Sequence, residues 1–110
     1  MKRDCSNIVE RLPKHEERAG VTLKGTYAEA EQDDQGWQIN IRGEIHAAAG
    51  DELSQPTEVV ATLLDGSERV LDTTSTYLDE ETFFEFETVD FAFFDIAVMP
   101  TKIRIHPKRA

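Results

Sequence analysis

A chain of 110 residues with an apolar share of 39% has room for one hydrophobic core, and this composition excludes an intrinsically disordered chain. A single cysteine excludes an intramolecular disulfide, and no apolar run reaches the roughly 18 residues of a membrane span. The net charge of −10 is uneven, since residues 29–95 hold 18 acidic and two basic side chains. This excess of acidic side chains repels phosphate backbones, and we therefore expect no nucleic-acid partner.

Residues 1–20 show no clear strand or helix pattern. A turn or two of helix fits Ser6–Arg18, but Pro13 interrupts it and its apolar face is thin. We therefore expect a partly ordered N-terminal arm over 1–20 and a single domain over 21–110. Because these residues also lack the apolar stretch of a secretory signal, we expect a cytoplasmic protein. The cell envelope is the alternative if a leader has been removed.

The clearest strand signals lie between residues 21 and 46. Apolar and polar residues alternate over Trp37–His46, with Gly43 on the apolar side. This period of two is typical of a strand that is buried on one face. Val21–Tyr27 alternates in the same way, and the acidic stretch Glu29–Gly36 separates the two. The pattern predicts a hairpin with a long acidic loop.

The second half of the chain predicts four further strands. They cover Thr57–Leu64, Ser67–Leu78, Thr82–Val89 and Thr101–His106. Asp65 and Gly66 form a strong tight-turn signal, and Pro107 closes the last strand. Six or seven short strands without a long helical period predict an all-β fold, an antiparallel immunoglobulin-like β-sandwich. Lysine and arginine side chains facing out from an edge strand at Thr101–His106 would favour a monomer over a homodimer.

Short motifs on these strands form a recognisable set. They are Gly43–Ile45, Val59–Val60, Leu63–Gly66, Tyr77–Leu78, Phe84–Phe86 and Lys102–Ile105. Together they resemble the FxLYD-type, immunoglobulin-like domains of bacteria and archaea, although Leu64 stands where that family usually has tyrosine. The resemblance covers about residues 37–106. It implies a sandwich architecture, and it implies neither catalytic residues nor a settled activity.

The acidic turns are candidate metal ligands. The strongest is Asp79, Glu80 and Glu81, and similar pairs occur at residues 33–34 and 51–52. Calcium takes about 6–8 oxygen ligands that converge from more than one loop, and no calcium-loop motif fixes these carboxylates at ligand spacing. Solvated turn residues explain the same pattern, so we expect no metal and no cofactor. A calcium- or small-ligand-binding sandwich that uses these loops is the alternative function.

Histidines and nucleophiles give no catalytic motif. His46 and His106 lie on the polar sides of their strands and would meet only if those strands were neighbours. A structural zinc site takes four ligands, usually including cysteine, and Cys5 is the only cysteine. No serine or threonine stands in an activated-nucleophile motif. We therefore expect no enzymatic activity.

The phenylalanines form the most unusual feature, because all six lie between Phe83 and Phe94. If Phe94 and Ile96 point inward along a strand, then Phe91 and Phe93 point outward. An exposed pair of this kind would bind an unidentified protein or a second copy of the chain. The alternative is that these rings fill or cap the core. The resulting hypothesis is a non-catalytic protein-interaction module.

Overall fold

The computed structural model describes residues 2–110, which form eight strands, one α-helix (α1) and one 3-10 turn. In chain order these are β1 (Lys2–Asp4), the turn (Ser6–Ile8), β2 (Val9–Arg11), α1 (Pro13–Ala19), β3 (Val21–Asp33), β4 (Gly36–Ala47), β5 (Thr57–Leu64), β6 (Val70–Leu78), β7 (Phe86–Ile96) and β8 (Lys102–Arg109). Sheet A has the spatial order β1-β3-β4-β7, and sheet B has the order β2-β8-β5-β6. The expected all-β, sandwich-like fold is confirmed.

The core lies between the two sheets and consists of aliphatic and aromatic side chains from both. Fully buried members include Ile39 and Ile45 of β4, Leu63 of β5 and Ile103 of β8. These are the apolar positions that the period-two alternation places on one side of each strand. Gly43 also faces this core, where an added Cβ would lie 3.1 Å from a methyl group of Leu23.

The hairpin of β3 and β4 is longer than its sequence indicates. The expected acidic loop at Glu29–Gly36 is wrong, because β3 continues to Asp33. Ala28 and Ala30 are fully buried in this part of the strand, while Glu29 and Glu31 alternate with them on the outer side. The turn itself is closed by Asp33, whose Oδ1 accepts the N–H of Gln35 at 2.8 Å. Alanine is uncommon in strands, so the alternation of buried alanine with outward glutamate over residues 28–31 was not recognised as a strand pattern.

The N-terminal segment is not the partly ordered arm that the sequence indicates, because residues 2–20 are integrated into both sheets. β1 pairs antiparallel with β3, and β2 pairs parallel with β8 over Ile103–Ile105. Between them Cys5 is buried, and its N–H donates to the carbonyl oxygen of Ala28 at 2.9 Å. Strands of three residues are too short to show an alternation, so the sequence pattern could not predict them.

α1 begins at Pro13 and ends before Gly20, which has φ +75°. Proline suits the first turn because the first N–H groups of a helix have no intrahelical partner, so Pro13 opens the helix that it was expected to interrupt. Glycine accepts the left-handed conformation that commonly ends a helix. Within residues 2–110 no helix has the length and apolar character that a membrane crossing requires.

The two long open edges lie on the side of the sandwich away from the N-terminal segment. β8 was expected to be an edge strand, but it lies between β2 and β5 and continues through Pro107. The outer strands on the opposite side are β6 in sheet B and β7 in sheet A, and neither has a second strand partner among the described residues. The basic side chains of β8 therefore do not protect a sheet edge.

Candidate functional site

Phe91 and Phe93 do not form an exposed patch. Their side chains are 4% and 2% exposed, respectively, and both belong to the core. The sequence predicted that both rings point outward, because it assumed that inward and outward positions alternate without a break from Ile96 back along the strand. Asp95 has φ +57°, and the register with β4 shifts at this point, so Phe93 and Ile96 both face inward although they are three residues apart. A β-bulge resets the phase of a strand in this way.

Two other phenylalanines, Phe86 and Phe94, lie on the opposite side of β7 and are exposed. Phe86 is 45% exposed and Phe94 is 59% exposed, and Tyr27 of β3, also 45% exposed, lies on the same outer surface of sheet A. Phe86 stacks on His46, with 5.3 Å between the ring centroids. We name this outer surface of sheet A, which carries Tyr27, Phe86 and Phe94, the aromatic face.

A cleft of about 390 Å³ lies at the centre of the aromatic face. The strand register builds it from two rows: Tyr27, Arg42 and Asp90 lie side by side, and Glu29, Asn40 and Ala92 form the row beside them. The short side chain of Ala92 leaves space between its larger neighbours. The result is an open depression with aromatic, acidic, basic and amide groups around it.

Two polar pairs shape the electrostatics of the cleft. Arg42 Nε donates to Asp90 Oδ1 at 2.7 Å across β4 and β7, and this carboxylate raises the pKa of Arg42. On the β3 side, Tyr27 interacts with the carboxylate of Glu29, which raises the pKa of the Tyr27 hydroxyl. Arg42 is paired with Asp90, and Glu29 Oε2 lies 4.0 Å from Lys2 Nζ of β1, so both carboxylates beside the cleft have a basic neighbour.

The acidic turns are not assembled into a metal site. In residues 2–110, no group of three or more histidine, cysteine, aspartate or glutamate side chains could hold a metal ion. Asp79 uses its Oδ1 to accept the N–H of Glu81 at 2.8 Å, so this carboxylate closes its own turn. A side chain that satisfies the backbone two residues on is an Asx-turn, which explains why acidic residues are found here.

His46 and His106 lie in different sheets and do not meet. His46 Nε2 is 3.0 Å from Glu44 Oε1, whereas the His106 ring contacts His15 of α1 with 5.3 Å between centroids. The sequence did not indicate the contact between His15 and His106, because His15 lies in the segment that was expected to be a partly ordered arm. A contact between residues so far apart depends on how the helix packs on the last strand.

Compared with models of protein families, with curated proteins and with solved structures, the chain shows no significant match. The class that the fold defines is an all-β protein with two four-stranded sheets in one compact body. Fold class alone does not specify function, so the functional argument depends on individual surfaces.

Proposed function

We propose that the chain is a non-catalytic interaction module that binds a partner protein through the aromatic face of sheet A. The observation that carries the proposal is that Tyr27, Phe86 and Phe94 are all 45–59% exposed on one sheet surface. Aromatic side chains are enriched at the cores of protein interfaces and supply much of their binding energy. Leaving three of them in water on one surface is unfavourable unless another surface covers them.

The dimensions of the aromatic face suit an interface of ordinary size. Phe86 and Phe94 are eight residues apart on β7, which at about 3.3 Å per residue places them about 26 Å apart. An interface that buries about 800 Å² on each partner is about 30 Å across. The two phenylalanines therefore stand near opposite ends of such a patch, and the central cleft lies between them.

The charge of the aromatic face indicates what kind of partner surface would fit. Glu29 and Glu31 of β3 face outward, Lys2 Nζ lies 4.0 Å from Glu29 Oε2, and Arg42 is paired with Asp90. Glu31 forms no ion pair among residues 2–110, so these groups leave an excess of one carboxylate. We propose a partner whose contacting surface carries apolar side chains with lysine or arginine among them, since complementary charge steers association and fixes register.

The immunoglobulin-like, FxLYD-type assignment is part of the same proposal. Support comes from the strand order, in which the hairpin of β3 and β4 belongs to sheet A and the hairpin of β5 and β6 belongs to sheet B. The chain then crosses to sheet A for β7 and returns to sheet B for β8. Cross-sheet connections of this kind are typical of immunoglobulin-like sandwiches.

The experiment is affinity capture from a lysate of the source cells with three tagged forms of the chain. The forms are the natural chain, the double variant Phe86→Ser/Phe94→Ser and the matched control Tyr77→Ser. Tyr77 is 68% exposed on sheet B, so the control removes an aromatic side chain of comparable exposure from the other sheet. Thermal unfolding of each form checks that the fold is retained.

The proposal predicts a stoichiometric partner that the natural chain and Tyr77→Ser retain and that the double variant loses, with little change in melting temperature. Equal capture by all three forms would overturn the assignment to the aromatic face. Capture of no protein by the folded natural chain would overturn the interaction module itself.

A further inference from the structure

A second concave site lies away from the aromatic face, between the C-terminal half of α1 and the end of β8. Its volume is about 380 Å³, within the range of roughly 300–1,000 Å³ that is usual for small-molecule sites. Ala19 and Pro107 provide an apolar wall. The polar side chains around it are His15, Arg18, Gln55, Lys108 and Arg109.

All charged side chains that line this pocket are basic. This is unexpected for a chain of net charge −10 with 22 acidic and 12 basic residues. The basic lining comes from α1, which contributes His15 and Arg18, and from β8, which contributes Lys108 and Arg109 and carries no acidic residue. A concave surface of one sign concentrates the electrostatic potential and attracts ions of the opposite sign.

The ion pairs of the described residues leave two of these cations without a counter-ion. Lys102 and Arg104 pair with Glu10 of β2, at 3.5 and 2.8 Å. Lys108 pairs with Glu58 at 3.4 Å. Among residues 2–110 neither Arg18 nor Arg109 forms an ion pair. Two free guanidinium groups therefore border one pocket, although like charges repel.

His106 of β8 lies next to this pocket, against His15 of its lining. The Nδ1 atom of His106 is buried and has no hydrogen-bond partner in the described part of the chain, residues 2–110. Burial is the main reason that the pKa of His106 lies below its ordinary value, and His15, Lys108 and Arg104 lower it further. Glu58 of β5 is the group that opposes this shift.

We propose that this pocket binds a phosphate group, held by Arg18 and Arg109 with support from Lys108, His15 and Gln55. Every one of these side chains has an N–H donor, and the three terminal oxygens of a phosphate monoester have enough lone pairs to accept from all of them. Guanidinium forks bind phosphate through paired, charge-assisted hydrogen bonds. The site is independent of the aromatic face and adds small-anion binding to the proposed interaction role.

The test is an NMR titration of the ¹⁵N-labelled chain with inorganic phosphate, in which chloride keeps the ionic strength constant. The expected result is a saturable shift of amide signals at residues 15–19, 55 and 107–109. Losing one charge-assisted hydrogen bond weakens binding by about tenfold or more. Arg18→Gln and Arg109→Gln should therefore each raise the dissociation constant by at least that factor. Arg42→Gln, which removes an arginine from the aromatic face, should leave it unchanged.

Two further titrations, with glycerol phosphate and with phospholipid vesicles, distinguish the source of the phosphate group. Glycerol phosphate should bind at the same residues as inorganic phosphate if the ligand is a small molecule. Binding of vesicles that contain phosphatidic acid, with no shift from either small phosphate, would overturn the pocket and indicate only attraction of a basic strand to a surface. Shifts that do not saturate, or equal affinity of all three arginine variants, would also overturn it.

Discussion

Arg11 and Glu16 form a bidentate ion pair that connects β2 to α1. Arg11 Nη2 and Nε donate to the two carboxylate oxygens of Glu16 at 2.6 and 3.1 Å. Glu16 is 4% exposed, and its Oε1 also accepts the N–H of Leu23 at 3.0 Å. One carboxylate thus holds the helix to both sheets, because β2 belongs to sheet B and β3 to sheet A.

Replacing Glu16 by alanine should destabilise the chain, since it leaves the Leu23 N–H without a partner and unpairs Arg11. A buried polar group without a partner costs about 1–3 kcal/mol, and we expect the free energy of unfolding to fall by about 2 kcal/mol. Urea unfolding measures this loss. The matched control is Glu17→Ala on the exposed side of α1, which should change stability by less than about 0.5 kcal/mol. Equal effects of the two variants would contradict the role of Glu16.

Phe93 and Phe94 are neighbours in sequence with opposite environments. Phe93→Ala removes a core ring and should lower the free energy of unfolding by about 3–5 kcal/mol. Phe94→Ala removes an exposed ring and should change it by less than about 0.5 kcal/mol. Chemical denaturation of both variants separates the two. A large loss for Phe94→Ala would show that this ring supports the fold and would weaken its assignment to the aromatic face.

Gly36 starts β4 in a conformation that other residues rarely adopt. It has φ +132°, and an added Cβ would lie 2.6 Å from the carbonyl oxygen of Ile96. Backbone strain together with this clash should make Gly36→Ala cost more than about 2 kcal/mol. Gly50 has φ +71° with open space around it, so Gly50→Ala should cost only about 1 kcal/mol. Thermal unfolding compares the pair, and similar melting temperatures would contradict the close approach at Gly36.

His106 should make stability depend on pH. Because its pKa is lowered in the folded chain from an ordinary value of 6.5, the unfolded chain binds more protons as the pH falls below that value. Its contribution to the free energy of unfolding is therefore complete above pH 6.5 and decreases as the pH falls toward the lowered pKa.

The variant His106→Phe removes this titration. Its stability relative to the natural chain should therefore rise as the pH is lowered from 7.5 to 5.5, measured by urea unfolding at several pH values. The other groups that face this ring, His15, Arg104, Lys108 and Glu58, are the same in both proteins. Parallel pH profiles of the two proteins would contradict the burial of a neutral imidazole at this position.

Much of the strand pattern was predictable because alternation reports directly which side of a strand is buried. The strand predicted at Thr57–Leu64 has the observed bounds of β5, and the apolar side of Trp37–His46 is the side that β4 buries. The pattern was less reliable near Phe91–Ile96. Apolar residues occupy both phases there, and the bulge at Asp95 decides between them.

The candidate sites were beyond the reach of the sequence pattern. Tyr27 and Phe86 share a surface only because β4 lies between their strands in sheet A. Likewise Arg18 and Arg109 border one pocket although most of the chain separates them. Neither grouping leaves a local motif, since the residues that form each site are contributed by different strands or by a helix and a strand.

By itself, the sequence determined that this protein is a β-rich domain with strands buried on one side, and that acidic side chains dominate residues 29–95. Those properties depend on residue type and on spacing of two, which are local. Only the tertiary structure decided that the first twenty residues join both sheets, which phenylalanines are exposed, and where the free basic side chains gather. These depend on strand order and register, which are set by the packing of the whole core.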